Sequence, residues 1–142
     1  MDAIKLPKQI GHFDFNPHNL IYNPKNYRII ALLDFDLIRV SQRARDIALG
    51  MHKISRVFGN KTERKNDVGG SIPNRTQIFL NGYNKIVKLT KKEESAIPDL
   101  IIDEGIRKII YLLKKSYLDN DSIIKYEINK QITLINEALT LK

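Results

Sequence analysis

The sequence predicts an α+β fold, mainly α-helical, in which a β-hairpin near the N-terminus is followed by four or five helices. Two observations lead to this prediction. The turn-forming segment NPKN, at 23–26, separates two apolar runs, a pattern typical of a hairpin. From Arg75 onward, isoleucine and leucine recur three and four residues apart, which is the spacing of amphipathic helices. The polar residues suited to chemistry lie in the first third of the chain, so we expect the remainder to act as scaffold.

The predicted hairpin covers residues 20–36. The segment LIY, at 20–22, predicts a short strand, and YRIIALLDF, at 27–35, predicts a longer one. Because the second segment is apolar almost throughout, we expect both of its faces to be buried. Residues 1–10 precede the hairpin motif, contain Pro7 as a breaker, and are expected to form an entry segment.

The first helix is predicted over residues 41–59, SQRARDIALGMHKISRVFG. Ser41 is a suitable N-terminal cap, and Gly59 is a suitable residue to end the helix. The following polar, glycine-bearing segment, 60–74, is expected to be a flexible surface loop. The apolar stripe of this helix would consist of Ile47, Met51, Ile54 and Phe58.

The later helices are predicted from their start signals. Thr90-x-x-Glu93 is a capping-box pattern that opens one helix. Pro98 suits the first turn of the next helix, and a last helix is expected to begin near residues 119–122. The apolar residues expected to face the core of the last two helices are Ile102, Ile106, Ile109, Ile110 and Leu113, and then Ile124, Ile128, Ile132, Ile135 and Leu139.

Composition excludes several classes of function. The chain has no cysteine, which excludes disulfides, thiolate catalysis and cysteine-bound zinc, and makes the cytoplasm the expected compartment. No apolar run approaches the roughly 20 residues that span a bilayer, and no secretory signal is evident, so no membrane partner is expected. The net charge of +8 suits anionic partners, but the lysines are scattered and no recognition helix is evident, so nucleic acid is not favoured.

Two short segments concentrate the residues that could carry chemistry: HFDFNPHN, at 12–19, and LLDFD, at 32–36. A hairpin brings the start of one strand beside the end of the next, so Asn19 and Asp34 are expected to face each other across its open end. Asp14 is expected to lie over the same end. Two hard oxygen ligands beside another carboxylate suit Mg²⁺ bound together with a polyphosphate.

Other interpretations of these residues remain open from the sequence. His12 and His18 have a spacing that could bind a metal, although Pro17 interrupts helical geometry and no further histidine or cysteine cluster completes a zinc site. Asp14 could also be an ordinary turn residue. His52 lies on a predicted helix, where a surface or half-buried position is the simpler interpretation.

The ordered motifs resemble a known enzyme family. Residues 12–19 fit the pattern H-x-D-x-x-x-x-N, and LLDFD, at 32–36, resembles the metal-binding segment that follows it. RARDIA, at 43–48, resembles the x-x-x-D-[LI]-A segment that opens the next helix. In this order and spacing they resemble the aminoglycoside phosphotransferase and choline kinase family, which includes type II homoserine kinases and shares the protein-kinase-like fold. The resemblance covers most of the chain from about Gly11.

The resemblance implies a role for three residues. Asp14 would be the catalytic aspartate, which orients the acceptor hydroxyl and accepts its proton. Asn19 and Asp34 would bind Mg²⁺ against the β- and γ-phosphates of ATP, the phosphate donor. Phosphoryl transfer depends on positioning and charge neutralisation more than on covalent chemistry, which suits such a set.

The resemblance also implies supporting residues. His12 would stabilise the catalytic loop through hydrogen bonds, and Asp46 would connect the following helix to that loop. Asp36 is a second acid beside the expected metal position. It could contact substrate or a second ion, or it could simply be solvated, and the sequence leaves both interpretations open.

Kinases of this family also have an N-terminal lobe of strands, which supplies a loop over the phosphates, a strand lysine and its glutamate partner. Only about ten residues precede Gly11 in this sequence. We therefore expect the N-lobe to be absent and residues 1–142 to be a single partial domain, the C-terminal lobe of a kinase-like fold. Such a lobe would be truncated, or split from a separate N-lobe chain, and would expose an apolar patch.

The resulting prediction is an ATP- and Mg²⁺-dependent phosphotransferase that acts on a hydroxyl of a small molecule such as an amino sugar or amino alcohol. The alternative is a non-catalytic protein, either a pseudoenzyme fragment or a binding subunit. The lack of an N-lobe motivates this alternative.

Overall fold

A computed structural model of the chain describes residues 5–55, 72–116 and 122–142. The chain divides into two compact units, Met1–Glu94 and Ser95–Lys142. The described residues form four α-helices and two small two-stranded sheets, which confirms the predicted α+β, mainly α, class. None of these helices is long and apolar enough to cross a membrane. A single partial domain over the whole chain stays a prediction.

The predicted hairpin is confirmed. Strand β2, Leu20–Tyr22, pairs antiparallel with β3, Ile29–Leu32, and Leu20 lies opposite Leu32. The connection between them closes where Asn23 N–H donates to the carbonyl of Arg28 at 2.8 Å and Asn23 O accepts from Tyr27 N–H at 2.8 Å. β3 is shorter than the predicted strand because it pairs only as far as the three-residue β2 permits.

A second pairing was not predicted. Strand β1, Lys8–Gly11, pairs antiparallel with β4, Arg39–Gln42. The predicted entry segment, residues 1–10, therefore includes the first residues of a strand that the sequence did not indicate. Ser41 lies in β4 rather than at a helix N-terminus. Pairing between segments so far apart in sequence has no local signature, which is why turn and cap signals could not reveal it.

The expectation that the second hairpin strand is buried on both faces was wrong. Ile29 and Ile30 are 59% and 65% exposed. In the other sheet Ile10 lies opposite Val40, and each is 67% exposed. A two-stranded ladder has a small apolar area to bury, and no further strand covers these side chains among the described residues. The strand surface is defined here as the cross-strand pair Ile10 and Val40, whose exposed side chains lie on the same face of the β1–β4 sheet.

Helix α1, Arg43–Ser55, provides much of the buried core of the first unit, and helix α2, Ile72–Asn84, packs against it. The α1 residues Ala44, Ala48 and Met51 are almost fully buried. The loop predicted at 60–74 lies outside the described residues as far as 71, and its last residues begin α2. Phe58 and Gly59 are likewise outside the described residues, and the other members of the predicted stripe, Ile47, Met51 and Ile54, are buried or half-buried.

The predicted capping box is confirmed at the start of helix α3, Lys91–Ser116. Thr90 Oγ1 accepts from Glu93 N–H at 3.2 Å, and Glu93 Oε2 accepts from Thr90 N–H at 2.9 Å. The helix then continues through Pro98, so the prediction of a separate helix beginning there was wrong. A proline within a helix removes one backbone donor and adds a steric clash with the preceding turn, and here the chain continues as a helix despite this cost.

A buried ion pair joins the first residue of α1 to the first turn of α3. Arg43 Nε donates to Glu93 Oε1 at 2.6 Å, and Arg43 Nη2 donates to Glu93 Oε2 at 2.8 Å. The Glu93 side chain has no exposed surface. The Arg43 hydrogen bonds, helped by those of Thr90 and opposed by burial, lower the pKa of Glu93 from 4.5 to about 2. Glu93 is therefore ionised at neutral pH although it is buried.

The second unit pairs the C-terminal part of α3 with helix α4, Ser122–Leu139. A Cβ added to Gly105 would lie 2.8 Å from Ile135 Cγ1, so glycine permits a close approach of the two helices. Lys142 Nζ lies 2.6 Å from Asp99 Oδ1. The two contacts show that the helices are antiparallel, because later residues of the C-terminal segment contact earlier residues of α3.

The predicted inward stripes of this unit are only partly confirmed. Ile106, Ile110 and Leu113 of α3 are about half exposed, whereas Ile101 and Leu112 are buried. Helix α3 contacts α4 through the side that carries Gly105, because a small residue lets the two backbones approach closely. The predicted isoleucine stripe lies beside this contact and is therefore only partly covered. On α4, Ile124 is buried as predicted, but Ile132 and Leu139 are 45% and 51% exposed.

The Arg43–Glu93 pair predicts a specific acid sensitivity. Because folding lowers the pKa of Glu93, its stabilisation is complete above the ordinary value of 4.5 and is lost as pH falls toward about 2. The shift corresponds to about 3 kcal/mol of unfolding free energy. Denaturant titrations from pH 7 to pH 2 should show this loss in the wild type. Glu93→Gln should lack it and be about 3 kcal/mol less stable at pH 7.

The matched control is Asp103→Asn, which removes a carboxylate from an exposed pair with Arg107. Exposed pairs contribute little, so this variant should follow the wild-type curve. Parallel curves for wild type and Glu93→Gln down to pH 2 would contradict the assignment.

Candidate active site

The loop between β1 and β2 is attached to α1 through one carboxylate. Asp46, in the first turn of α1, accepts from His12 N–H through Oδ2 at 2.9 Å and from Phe13 N–H through Oδ1 at 2.7 Å. Phe13 has a φ of 59°, in the left-handed region that non-glycine residues rarely adopt. The two charge-assisted hydrogen bonds help offset the cost of this conformation.

Gly11 is required by the same contact. A Cβ at this position would lie 2.6 Å from Asp46 Oδ2 and 2.8 Å from Phe13 Cε2. Neither group can retreat easily, because the carboxylate is bound to two backbone amides and the Phe13 ring is buried. Any larger residue at position 11 would therefore displace Asp46 or the loop.

His12 is buried and uses both ring nitrogens. Its Nε2 lies 2.9 Å from Leu33 O, and because a carbonyl only accepts, Nε2 is the donor. Its Nδ1 then accepts from Asp14 N–H at 3.2 Å, which assigns the neutral tautomer from the hydrogen-bond network. This geometry excludes the interpretation of His12 as a metal ligand with His18, which is exposed. His12 instead connects the loop to the segment that follows β3.

Asp14 is a partly exposed carboxylate with a different partner for each oxygen. Its Oδ2 accepts from Asn19 Nδ2 at 2.9 Å, and its Oδ1 lies 2.5 Å from Lys53 Nζ. Its backbone carbonyl accepts from the side-chain amides of Asn16 and Asn19 at 3.0 and 2.9 Å. The loop therefore presents Asp14 in a defined orientation rather than as a freely rotating turn residue.

The surroundings of Asp14 lower its pKa. Burial raises the pKa of this carboxyl, but the hydrogen bond and positive charge of Lys53 act in the opposite direction. The amides of Asn19 and Asn16 add to the effect of Lys53, and the net pKa lies below the ordinary 3.8. Asp14 is consequently ionised at neutral pH.

Lys53 was missed by the sequence reasoning, which considered only polar residues within the motifs. A signal was present, because Lys53 lies about two helical turns after Asp46 and therefore on the same side of α1. One side of α1 thus provides the carboxylate that binds the loop backbone and the ammonium group that contacts Asp14.

Asn19 and Asp34 lie at the same end of the β2–β3 hairpin, but they are not directly opposite each other. Asn19 O accepts from Leu33 N–H at 2.8 Å, so Leu33 is the cross-strand partner and Asp34 follows one residue later. The expectation that the two would face each other was off by one residue, because the β2–β3 register places Leu20 opposite Leu32. Leu33 is bound on both sides, by Asn19 and by His12, and Asp34 has a φ of 60°.

The oxygen atoms available here are those that a hard cation prefers. Asn19 is buried and directs its Nδ2 to Asp14, which leaves Oδ1 as its ligand atom. Asp34 is exposed, and its Oδ1 accepts a long hydrogen bond of 3.4 Å from Asp36 N–H. The described residues contain no group of three or more histidine, cysteine, aspartate or glutamate side chains that could hold a metal by themselves. A cation bound here would need further ligands from water or substrate oxygens.

The Asp46 contact can be tested directly. Asp46→Asn replaces one acceptor oxygen by an NH₂ group that faces a backbone N–H, so the protein should lose about 2 kcal/mol of unfolding free energy. Hydrogen exchange should accelerate at the amides of His12 and Phe13, and Gly11→Ala should reproduce this acceleration. Asp36→Asn, which removes an exposed carboxylate, is the control. Unchanged exchange at both amides in Asp46→Asn would contradict the geometry.

No curated protein and no solved structure matches this chain. One family model, described as the phosphotransferase enzyme family, matches residues 1–64 of the 142. The matched range includes all the residues of the site, from His12 to Lys53. The resemblance drawn from the ordered motifs is therefore confirmed for residues 1–64, which match the phosphotransferase enzyme family.

Proposed function

We propose that the protein is an ATP- and Mg²⁺-dependent phosphotransferase that acts on a small-molecule hydroxyl, and that it forms the C-terminal lobe of a kinase-like fold. The match of residues 1–64 supports a phosphotransferase-type function. The observation that supports transfer from ATP to a hydroxyl is the ionisation and orientation of the Asp14 carboxylate. Asp14 is an ionised carboxylate, oriented by Asn19 and Lys53, within a segment that matches such a family.

The proposed reaction moves one phosphoryl group. The acceptor oxygen forms a bond to the γ-phosphorus of ATP, while the bond from that phosphorus to the β–γ bridging oxygen breaks and ADP leaves. The hydroxyl proton passes to the Asp14 carboxylate. A carboxylate with a lowered pKa is a weak base, so Asp14 is suited to orient the hydroxyl and to take its proton as the new bond forms.

Asn19 and Asp34 are the residues that would bind Mg²⁺ in this proposal. When bound, Mg²⁺ neutralises charge on the phosphates, and phosphate oxygens and water would complete its octahedral shell. The amide oxygen of Asn19 and the exposed carboxylate of Asp34 fit this type of site. The hydrogen bonds that Leu33 makes with His12 and Asn19 support a fixed position for Asp34.

We also propose a partner for the strand surface. Its two apolar side chains, Ile10 and Val40, are direct cross-strand partners, and each is 67% exposed. A kinase-like C-lobe requires a companion lobe that supplies the phosphate loop and its lysine. The companion, either a preceding segment or a separate chain, would cover this surface.

The cytoplasmic location of the protein also stays a prediction.

The catalytic assignment is tested by turnover. The chain, alone and together with the product of the gene immediately upstream, is incubated with Mg²⁺-ATP and a panel of amino sugars and amino alcohols, and ADP is measured. Asp14→Asn should lower turnover at least about 100-fold, because it removes the proton acceptor. Asp36→Asn is the comparison, and a smaller loss there separates the two carboxylates.

Turnover that persists in Asp14→Asn would overturn the catalytic assignment. Lack of turnover in every mixture would favour the alternative, a non-catalytic pseudoenzyme fragment or binding subunit.

The metal assignment is tested by paramagnetic broadening. Mn²⁺, added with a non-hydrolysable ATP analogue, should broaden the amide resonances of Asn19 and Asp34 in a ¹H–¹⁵N spectrum. Asp34→Asn should lower the apparent Mn²⁺ affinity, measured from this broadening, by roughly tenfold or more, because a charged ligand becomes neutral. Asp36→Asn should keep it if Asp36 is merely solvated. Equal broadening in wild type and Asp34→Asn would exclude Asp34 as a ligand.

A further inference from the structure

We propose that Lys53 is a positioning residue of the candidate site, and that its ammonium group maintains Asp14 as an oriented carboxylate. The use of this arrangement in phosphoryl transfer rests on the proposed function. The pair of side chains itself can be tested independently of any activity. Lys53 lies on α1, outside the ordered motifs, and no motif assigns it a role.

The geometry gives each Asp14 oxygen a separate partner. Lys53 Nζ lies 2.5 Å from Oδ1, and Asn19 Nδ2 lies 2.9 Å from Oδ2. Two donors on different oxygens restrict rotation of the carboxylate. Each carboxylate oxygen can accept about two hydrogen bonds, so capacity remains for an acceptor hydroxyl. Lys53 and Asn19 therefore fix the orientation of Asp14 without saturating it.

The exposure of the pair indicates that it does not act mainly in folding. The side chains of Lys53 and Asp14 are 39% and 24% exposed. Ion pairs with this degree of exposure are screened by water and contribute little to stability. The buried Arg43–Glu93 pair, in contrast, has 17% and 0% exposure. A short contact with little expected effect on stability, made by the candidate catalytic carboxylate, is best explained by the site.

Lys53 is the cation whose contact with Asp14 is seen among the described residues. From the loop, His12 is neutral and accepts the Asp14 N–H, while Asn16 and Asn19 contribute uncharged amides. From α1, the Asp46 carboxylate is bound to backbone amides of the loop. The direction of the Asp14 pKa agrees, since Lys53 is its largest lowering influence.

A positive charge at this place suits phosphoryl transfer in particular. A phosphate donor brings several negative charges toward the hydroxyl that Asp14 would bind, and like charges would otherwise repel the carboxylate or favour its protonation. An ammonium group in contact with Asp14 offsets this repulsion and stabilises negative charge on the transferring group. Lys53 is thus expected to affect the rate more than acceptor binding.

The decisive experiment measures the orientation of the Asp14 side chain in the full chain, from the three-bond NMR couplings that report its χ1 angle. Lys53→Met should average these couplings over several rotamers, Lys53→Arg should keep one rotamer, and Lys85→Met, which removes an exposed lysine elsewhere, should not change the couplings. A single, unchanged rotamer in Lys53→Met overturns the proposal. If Lys53→Met does not fold, the wild type must show a coupling across the hydrogen bond between Lys53 ¹⁵Nζ and Asp14 ¹³Cγ, and the absence of this coupling also overturns the proposal.

Activity then separates this inference from the proposed function. If turnover is found, Lys53→Met should lower kcat at least about tenfold with a smaller change in KM. Lys53→Arg should restore much of the loss. Rotamer averaging of Asp14 in Lys53→Met, without turnover in any mixture, supports the pairing and counts against the proposed function. Full turnover of Lys53→Met with an unchanged Asp14 rotamer counts against Lys53 alone.

Discussion

The candidate site depends on the carboxylate of Asp46, which binds two consecutive backbone amides at the start of the loop. These hydrogen bonds support the left-handed conformation of Phe13 and require a glycine at position 11. They also attach the loop to the first turn of α1, where negative charge interacts favourably with the helix dipole. A side chain that does not itself face a reacting group therefore sets the backbone from which Asp14 projects.

The hydrogen bonds that begin at Asp46 continue through the loop to the β2–β3 strand pair. His12 follows Gly11, and its ring donates to Leu33 O, while Asn19 O accepts the Leu33 N–H. One residue between two hydrogen bonds thus fixes the exit of β3, and Asp34 is the next residue. Two very small sheets can position a site because the polar residues of the loop, rather than an extensive ladder, connect them.

The sequence predicted the local features of this arrangement better than the long-range ones. The hairpin turn, the capping box and the candidate residues Asp14, Asn19 and Asp34 each carry a local signature. The β1–β4 pairing, the one-residue offset of Asp34 and the contact of Lys53 depend on how distant segments meet. The apolar run that includes Ile29 led to a wrong prediction of burial for a related reason. Hydrophobic residues favour burial, but the sequence does not show whether another layer covers them.

Two ion pairs in the described part of the first unit, Arg43–Glu93 and Lys53–Asp14, show how environment decides what the same chemistry does. Arg43–Glu93 is buried and bidentate, and it joins the beginnings of two helices, so removal of either partner would leave an uncompensated buried charge. Lys53–Asp14 is open to water, so the loss of one partner can be met by solvent. A buried pair is constrained to remain as it is, whereas an exposed pair can exchange partners. Under the proposed function, the Asp14 carboxylate receives a substrate hydroxyl, and such a carboxylate needs the second kind of partner. Helix α1 provides both pairs with their basic residue.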